Sequence, residues 1–234
     1  MLMAANPNRG RSTFSLAARM LALLLVLAGL LFLPAGRLDW LQGWLFVFAY
    51  GAFLLVYSTW TARNDPGQMA ERSRAGPNVK SWDRILLTIY SVLLVGMLVL
   101  AGLDAGRFNW APAPPALQLL GWLGSALAAS LIWWTASVNT FLARYVRIQE
   151  DRGQQVVTRG PYRFVRHPMY AGIIVFMLSI PLVLGSLWAL VPGALICVIF
   201  VIRTALEDHT LQAELPGYTE YARRTRYRLL PGVW

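Results

Sequence analysis

Apolar residues in this chain are gathered into long unbroken blocks, with no strand alternation, internal repeat or low-complexity segment between them. Four blocks stand out: Met20 to Leu33, extendable to Leu16 if Arg19 snorkels, then Trp40 to Thr61, Ile85 to Leu103, and Leu117 to Phe141. A hydrocarbon layer about 30 Å thick takes roughly 20 apolar residues in a helix, so each block predicts a spanning helix. Residues 171 to 202 form a longer uncharged stretch, punctuated by Pro181, by Gly185 with Ser186, and by Pro192. That punctuation is too heavy for one straight helix and predicts a hairpin. Its first leg, Gly172 to Leu184, is about 20 Å long at 1.5 Å per residue and is expected to stop short of the far face. Arg9, Arg11 and Arg19 ahead of an apolar run and LPAG also fit a signal peptide. Four further apolar segments make an uncleaved first helix the simpler reading.

Composition agrees. Hydrophobic residues make up 57% of the 234 and charged residues 14%, against roughly 45–50% and about 25% in soluble domains. The net charge of +10 adds a basic surface to an apolar protein, which points to a membrane before nucleic acid. Placing the N-terminus, the 62 to 84 loop, the 142 to 170 segment and the C-terminal tail on one side gathers 19 of the 21 Lys and Arg, leaving Arg37 and Arg107 opposite. By the positive-inside rule that side is cytoplasmic. Trp40, Trp44 and Trp110 then stand as interfacial anchors outside, and Trp60 and Trp82 inside. The expected fold is all-α, a polytopic integral membrane helical bundle with four spanning helices plus a C-terminal helical hairpin and both termini cytoplasmic. Residues 1–141 form its N-terminal region and 142–234 its functional region. Gly121, Ser125 and Ala129, at spacing four, predict a close helix contact. One cysteine, Cys197, and two histidines leave no disulfide framework, multi-cysteine zinc site or polyhistidine metal cage, so no metal is expected.

Polar chemistry is concentrated late in the chain: residues 142 to 170 and 203 to 234 hold eleven arginines, six tyrosines and both histidines. GPYRFVRHPMYAG, Gly160 to Gly172, packs Tyr162, Arg163, Arg166, His167 and Tyr170 into the turn that enters the hairpin, with Pro161 and Pro168 stiffening the backbone around them. A membrane anchor explains the arginines and tyrosines of that turn but has no use for the imidazole. Glu207 and Asp208 follow at the end of the return leg, where carboxylates oppose the helix dipole unless a cation meets them. Arg203 four residues earlier is one such cation, and a cationic ligand is another. In PGYTEYARRTRYRLLPGVW, Pro216 to Trp234, Tyr218, Tyr221 and Arg224 recur at spacing three on a short helix. A stripe that binds anionic lipid is the plainer account of it. Asn139, at the polar end of its apolar span, either lines a site or bonds to a neighbouring helix.

In this order and spacing, the three pieces resemble the isoprenylcysteine carboxyl methyltransferase family and its phospholipid N-methyltransferase relatives, over roughly Asn139 to Trp234. The resemblance implies an integral membrane enzyme that transfers a methyl group from S-adenosylmethionine to a lipophilic acceptor, an isoprenylcysteine-type carboxylate or similar, at the cytoplasmic face of a bacterial inner membrane. It implies a cofactor pocket built from Gly160, Tyr162, Arg163, Arg166, His167, Pro168 and Tyr170, with Glu207, Asp208, Tyr218 and Tyr221, and catalytic roles for Arg224, Glu207 and Asn139. Asp208 departs from a family pattern that usually has a second Glu, and Thr225 stands where an apolar residue commonly follows the arginine. The residue types suit the cofactor: an acid for its ammonium, an arginine for its carboxylate, and tyrosine faces for its sulfonium and adenine. A carboxylate acceptor needs no base, whereas an amine acceptor asks Glu207, Asp208 or His167 to take a proton. Phospholipid amine methylation, an NADPH-dependent membrane reductase and a non-enzymatic lipid-binding protein are the competing readings. The expected partners are the bilayer and a lipophilic small molecule or lipid, with no nucleic acid.

Overall fold

The computed structural model describes residues 7–72 and 78–234, with side chains from Ala18 onward, so Arg9, Arg11, Leu16 and Arg74 lie outside the described side chains. Its helices are α1 (Pro7–Ala35), α2 (Leu41–Asn64), α3 (Pro66–Arg72), α4 (Ser81–Ala101), α5 (Pro115–Val138), α6 (Pro168–Leu184), α7 (Leu190–Glu214) and α8 (Tyr218–Arg224). No β-strand occurs among the described residues; Pro112 and Ser186 form an isolated antiparallel bridge. Five helices, α1, α2, α4 with the π-helical turn Gly102–Phe108 that continues it, α5 and α7, are long and apolar enough to cross a membrane. Large apolar side chains such as Leu33, Phe48, Val92 and Leu127 stand exposed on the outer faces, as a hydrocarbon solvent permits.

The hairpin is α6 and α7. Its first leg starts four residues earlier than expected, with Pro168 in the first turn, where a missing N–H costs nothing. The leg has 17 residues, about 25 Å of helix. Gly185, at φ 81°, ends it in a left-handed cap, and its N–H donates to Leu182 O. The turn beyond does not stop free in the apolar layer: Ala113 N donates to Gly185 O and Leu187 N to Ala111 O, both at 2.8–2.9 Å. Buried Asp104 completes this far end, accepting from Ala111 N at 2.7 Å and from the Ser186 hydroxyl at 2.6 Å. Pro192 sits in the first turn of α7 and leaves that helix unbroken.

α5 lies closely against α6, along Gly121, Gly124 and Ala128 and not along the expected spacing of four. A Cβ on Gly121 would come within 2.7 Å of Leu182 Cβ and 2.8 Å of Val183 N, and one on Gly172 within 2.9 Å of Ile132. Ser125 and Ala129 turn instead toward α2. Gly121→Ala therefore forces backbone apart and is expected to cost about 1–3 kcal/mol, read as a lower melting temperature in detergent. Ala126→Gly, on the exposed face of the same helix, should cost only about 1 kcal/mol.

At the polar end a second small core, Tyr162, Leu215, Tyr218 and Tyr221 with Val156 and Leu211 against it, lies apart from the intramembrane one. Gly217, at φ 82°, turns the chain from α7 into α8 and lets this tyrosine cluster form.

Candidate functional site

A cleft opens at the polar end between the 160–170 turn, α7, α8 and the irregular segment 140–158. Asn139, Tyr162, Arg166, His167, Tyr170, Glu207, Tyr218 and Tyr221 all line it, so the arginine-histidine turn and the acid of the return leg meet in space. Its enclosed part measures about 120 Å³, and the cleft is open to solvent beyond that.

Adjacent residues on a helix point about 100° apart, and this divides the acidic pair. Glu207 faces the cleft, where the Tyr170 hydroxyl donates to its Oε2. Asp208 points away and is fully buried. Arg166 donates to both its oxygens at 2.7 and 2.9 Å, Arg228 at 2.9 Å, Gln212 at 2.9 Å and the Tyr218 hydroxyl at 3.0 Å. His167 Nε2 stands 3.2 Å from the same carboxylate. Asp208 is thus the hub joining α6, α7, α8 and the tail, and it does not line the cavity expected to take a cofactor.

The tyrosines are fixed by burial and bonding. The Tyr162 hydroxyl accepts from Asn139 Nδ2 at 2.5 Å, and its carbonyl accepts from the Tyr221 hydroxyl at 2.8 Å. Burial pushes Tyr221 up to about 12 and raises Tyr162 and Tyr218 as well, Tyr218 further by the charge of Asp208. All three hydroxyls stay protonated at neutral pH, so none is a ready base. Arg166 remains firmly cationic: burial works against its charge, and the bonds to Asp208 outweigh that.

Other expected residues lie elsewhere. A step of three residues leaves a drift of 60°, so by Arg224 the spacing from Tyr218 has rotated off the buried face. The Arg224 side chain is 78% exposed and pairs with Glu220 at 3.1 Å. Arg224 and Arg163 border a shallow outer groove instead of the cleft. Gly160, at φ 62°, fits its turn beneath Val138 and Trp134, and Pro168 starts α6; both shape the turn without lining the cavity.

Three cleft arginines were not anticipated as site residues: Arg72, Arg147 and Arg203. Arg203 shares the inward face of α7 with Glu207, and its spacing of four was a legible sign. It donates to Asp83 at 2.7 Å and to Arg144 O at 2.9 Å, and lies over the Tyr170 ring at 5.0 Å. Asp83 also accepts from Val146 N at 2.8 Å, and Arg147 bonds Glu71 at 2.7 Å and Asp151 at 2.7 Å. These bonds hold segment 140–158 over the cleft. Arg72 and Arg147 arrive through tertiary packing, which no local spacing announces.

The pattern of the phospholipid methyltransferase family matches residues 117–215, the stretch that carries the turn, the hairpin and Glu207. The chain is also similar to the cobalt-zinc-cadmium resistance protein CzcN of Cupriavidus metallidurans, 33% identical over 171 residues that cover 68% of this chain and 69% of that protein. The nickel-cobalt-cadmium resistance protein NccN of Alcaligenes xylosoxydans xylosoxydans is 30% identical over 143 residues, 56% of this chain and 59% of that one. The chain belongs to the phospholipid methyltransferase family. As a phospholipid methyltransferase family member with several apolar helices, it is an integral membrane protein of a methyltransferase family. Among the described residues, this family member has no group of three His, Cys, Asp or Glu side chains placed to hold a metal ion.

Proposed function

We propose that the protein is an S-adenosylmethionine-dependent methyltransferase acting on a lipophilic acceptor of carboxylate type, with residues 142–234 as its cofactor-binding region. One observation carries this reading: Glu207, tyrosines and arginines from five separate stretches of chain converge on one cleft at the polar end. The donor set fits the cofactor. Glu207 is the anion for its ammonium, Arg166 and Arg203 offer cations for its carboxylate, and the face of Tyr162 suits a sulfonium at about 0.5–2 kcal/mol. When bound, S-adenosylmethionine supplies an electrophilic methyl, whose bond to sulfur breaks with the pair left on sulfur as an acceptor lone pair bonds the carbon.

The chain's own part is to align and dry the reactants. A carboxylate acceptor releases no proton, which agrees with tyrosines held neutral and a histidine committed to Asp208 and Tyr218. The same reading places the polar end in the cytoplasm, because nearly all Lys and Arg belong to its loops.

Titration calorimetry on detergent-solubilised protein tests it. S-adenosylhomocysteine should bind in the micromolar range, with NADPH unable to compete. No heat up to about 1 mM, a free energy weaker than roughly 4 kcal/mol, or displacement by NADPH, overturns the assignment.

A further inference from the structure

The positive charges of the cleft are not equally satisfied. Arg147 is held by Glu71 and Asp151, Arg166 by Asp208 and Arg203 by Asp83. Arg72 has no carboxylate partner, although all eleven Asp and Glu of the chain lie within the described residues. Its guanidinium donates to the Tyr57 hydroxyl and lies 5.3 Å from the centre of that ring. A half-buried cation at the edge of an apolar layer, facing a cavity, calls for an anion.

Tyr57 leads from that cation into the bundle. Phe53 stacks on it at 5.8 Å, and Trp133 meets it edge-on at 5.9 Å. Phe53 in turn lines a second cavity of about 230 Å³ between α2 and α5, floored by Phe176 of α6. Its walls include Phe46, Tyr50, Phe53, Trp122 and Ile132, together with Ser125. The Ser125 hydroxyl is shut off from solvent and has no hydrogen-bond partner. Ser130 and Thr135 of the same helix each donate to their own i−4 carbonyl, at 2.8 and 2.7 Å. An unmatched hydroxyl on the wall of an apolar slot is a cost that the protein's own packing leaves uncompensated there.

We infer that Arg72 and the cleft between α2 and α5 form the methyl-acceptor site, and that the acceptor is an anion carrying a single hydrocarbon tail. This rests on the methyltransferase reading for the word acceptor, while the site itself stands on the geometry. Arg72 takes the anionic head at the rim of the Glu207 cleft, and the tail passes Tyr57 to lie along Phe53 toward Trp122. Size limits the tail. If about 150 Å³ houses the six carbons of benzene, the slot's 230 Å³ houses roughly nine or ten carbons, and two acyl chains do not fit.

The test is photolabelling of the whole protein in neutral detergent with a ten-carbon carboxylate bearing a diazirine at its tail end, mapped by mass spectrometry. The expected result is saturable labelling of α2 and α5 wall residues, cut at least tenfold by Arg72→Gln, kept within about threefold by Arg72→Lys, and abolished by Ala129→Phe, which fills the slot. Affinity for S-adenosylhomocysteine should change less than about twofold in all three variants, which also shows that they are folded. Equal labelling by the matched ten-carbon amine, or by a photoreactive two-chain phospholipid, overturns the inference. So does a tenfold loss of S-adenosylhomocysteine binding in Arg72→Gln, which would assign Arg72 to the cofactor. A wild-type protein that captures the carboxylate yet binds no S-adenosylhomocysteine would uphold this site and sink the methyltransferase reading alone.

Discussion

Asp208→Asn is expected to lower the melting temperature of the purified protein by about 10 °C and to loosen the whole polar end. The substitution keeps shape and one carbonyl acceptor but removes the charge that Arg166 and Arg228 share. Arg166 is nearly buried, so its guanidinium would be left in a low-dielectric pocket with carbonyls for company. Breaking a buried pair on one side costs about 3–5 kcal/mol, because the surviving charge is stranded. At about 2–4 °C per kcal/mol for a chain of this size, the shift follows. Tyr218, Gln212 and Arg228 lose their common acceptor in the same step, which should show as new protease cuts in the tail beyond Gly217. A melting temperature within about 2 °C of wild type would mean that the hub is not what holds α6, α7 and α8 together.

The fold was largely legible because its signals are local. Apolar blocks, Pro at the start of α6, Gly185 and the Pro216–Gly217 pair each act within a few residues, and the observed helices begin and end at or near them. What misled was helix phase. Gly121, Ser125 and Ala129 share a spacing, but the close contact with α6 falls on Gly121, Gly124 and Ala128. Arg224 follows two buried tyrosines at equal steps and still ends in water, since three residues are not a whole turn. The site was legible in outline for the same reason and incomplete for the opposite one. Glu207, His167, Tyr162 and Tyr170 lie in dense motifs, whereas Arg72, 67 residues before Asn139, is brought to the cleft by the short helix α3, whose seven residues carry no strong apolar signal. Gln68 of that helix anchors it by donating to Asn139 O at 2.7 Å, a bond set entirely by tertiary structure.

Glu207→Gln should behave in the reverse way to its neighbour: binding collapses and the fold stays. Glu207 lines the cleft, is only partly buried, and is bonded by the Tyr170 hydroxyl from one side. Glutamine still accepts that bond and Arg203 one turn away keeps Asp83 as its carboxylate partner, so the melting temperature should move by less than about 2 °C. What it cannot supply is the negative charge for an ammonium group. A hydrogen bond to a charged group is worth about 1.5–3 kcal/mol, which converts to about a 10- to 100-fold loss of S-adenosylhomocysteine affinity at 1.4 kcal/mol per decade. Tyr170→Phe isolates the support from the charge: it removes one neutral donor worth about 0.5–1.5 kcal/mol and should weaken binding only about 2- to 10-fold. If calorimetry gave Glu207→Gln the affinity of wild type, the carboxylate facing the cleft would have no part in holding the cofactor, and the ammonium would have to be met by backbone carbonyls or by water.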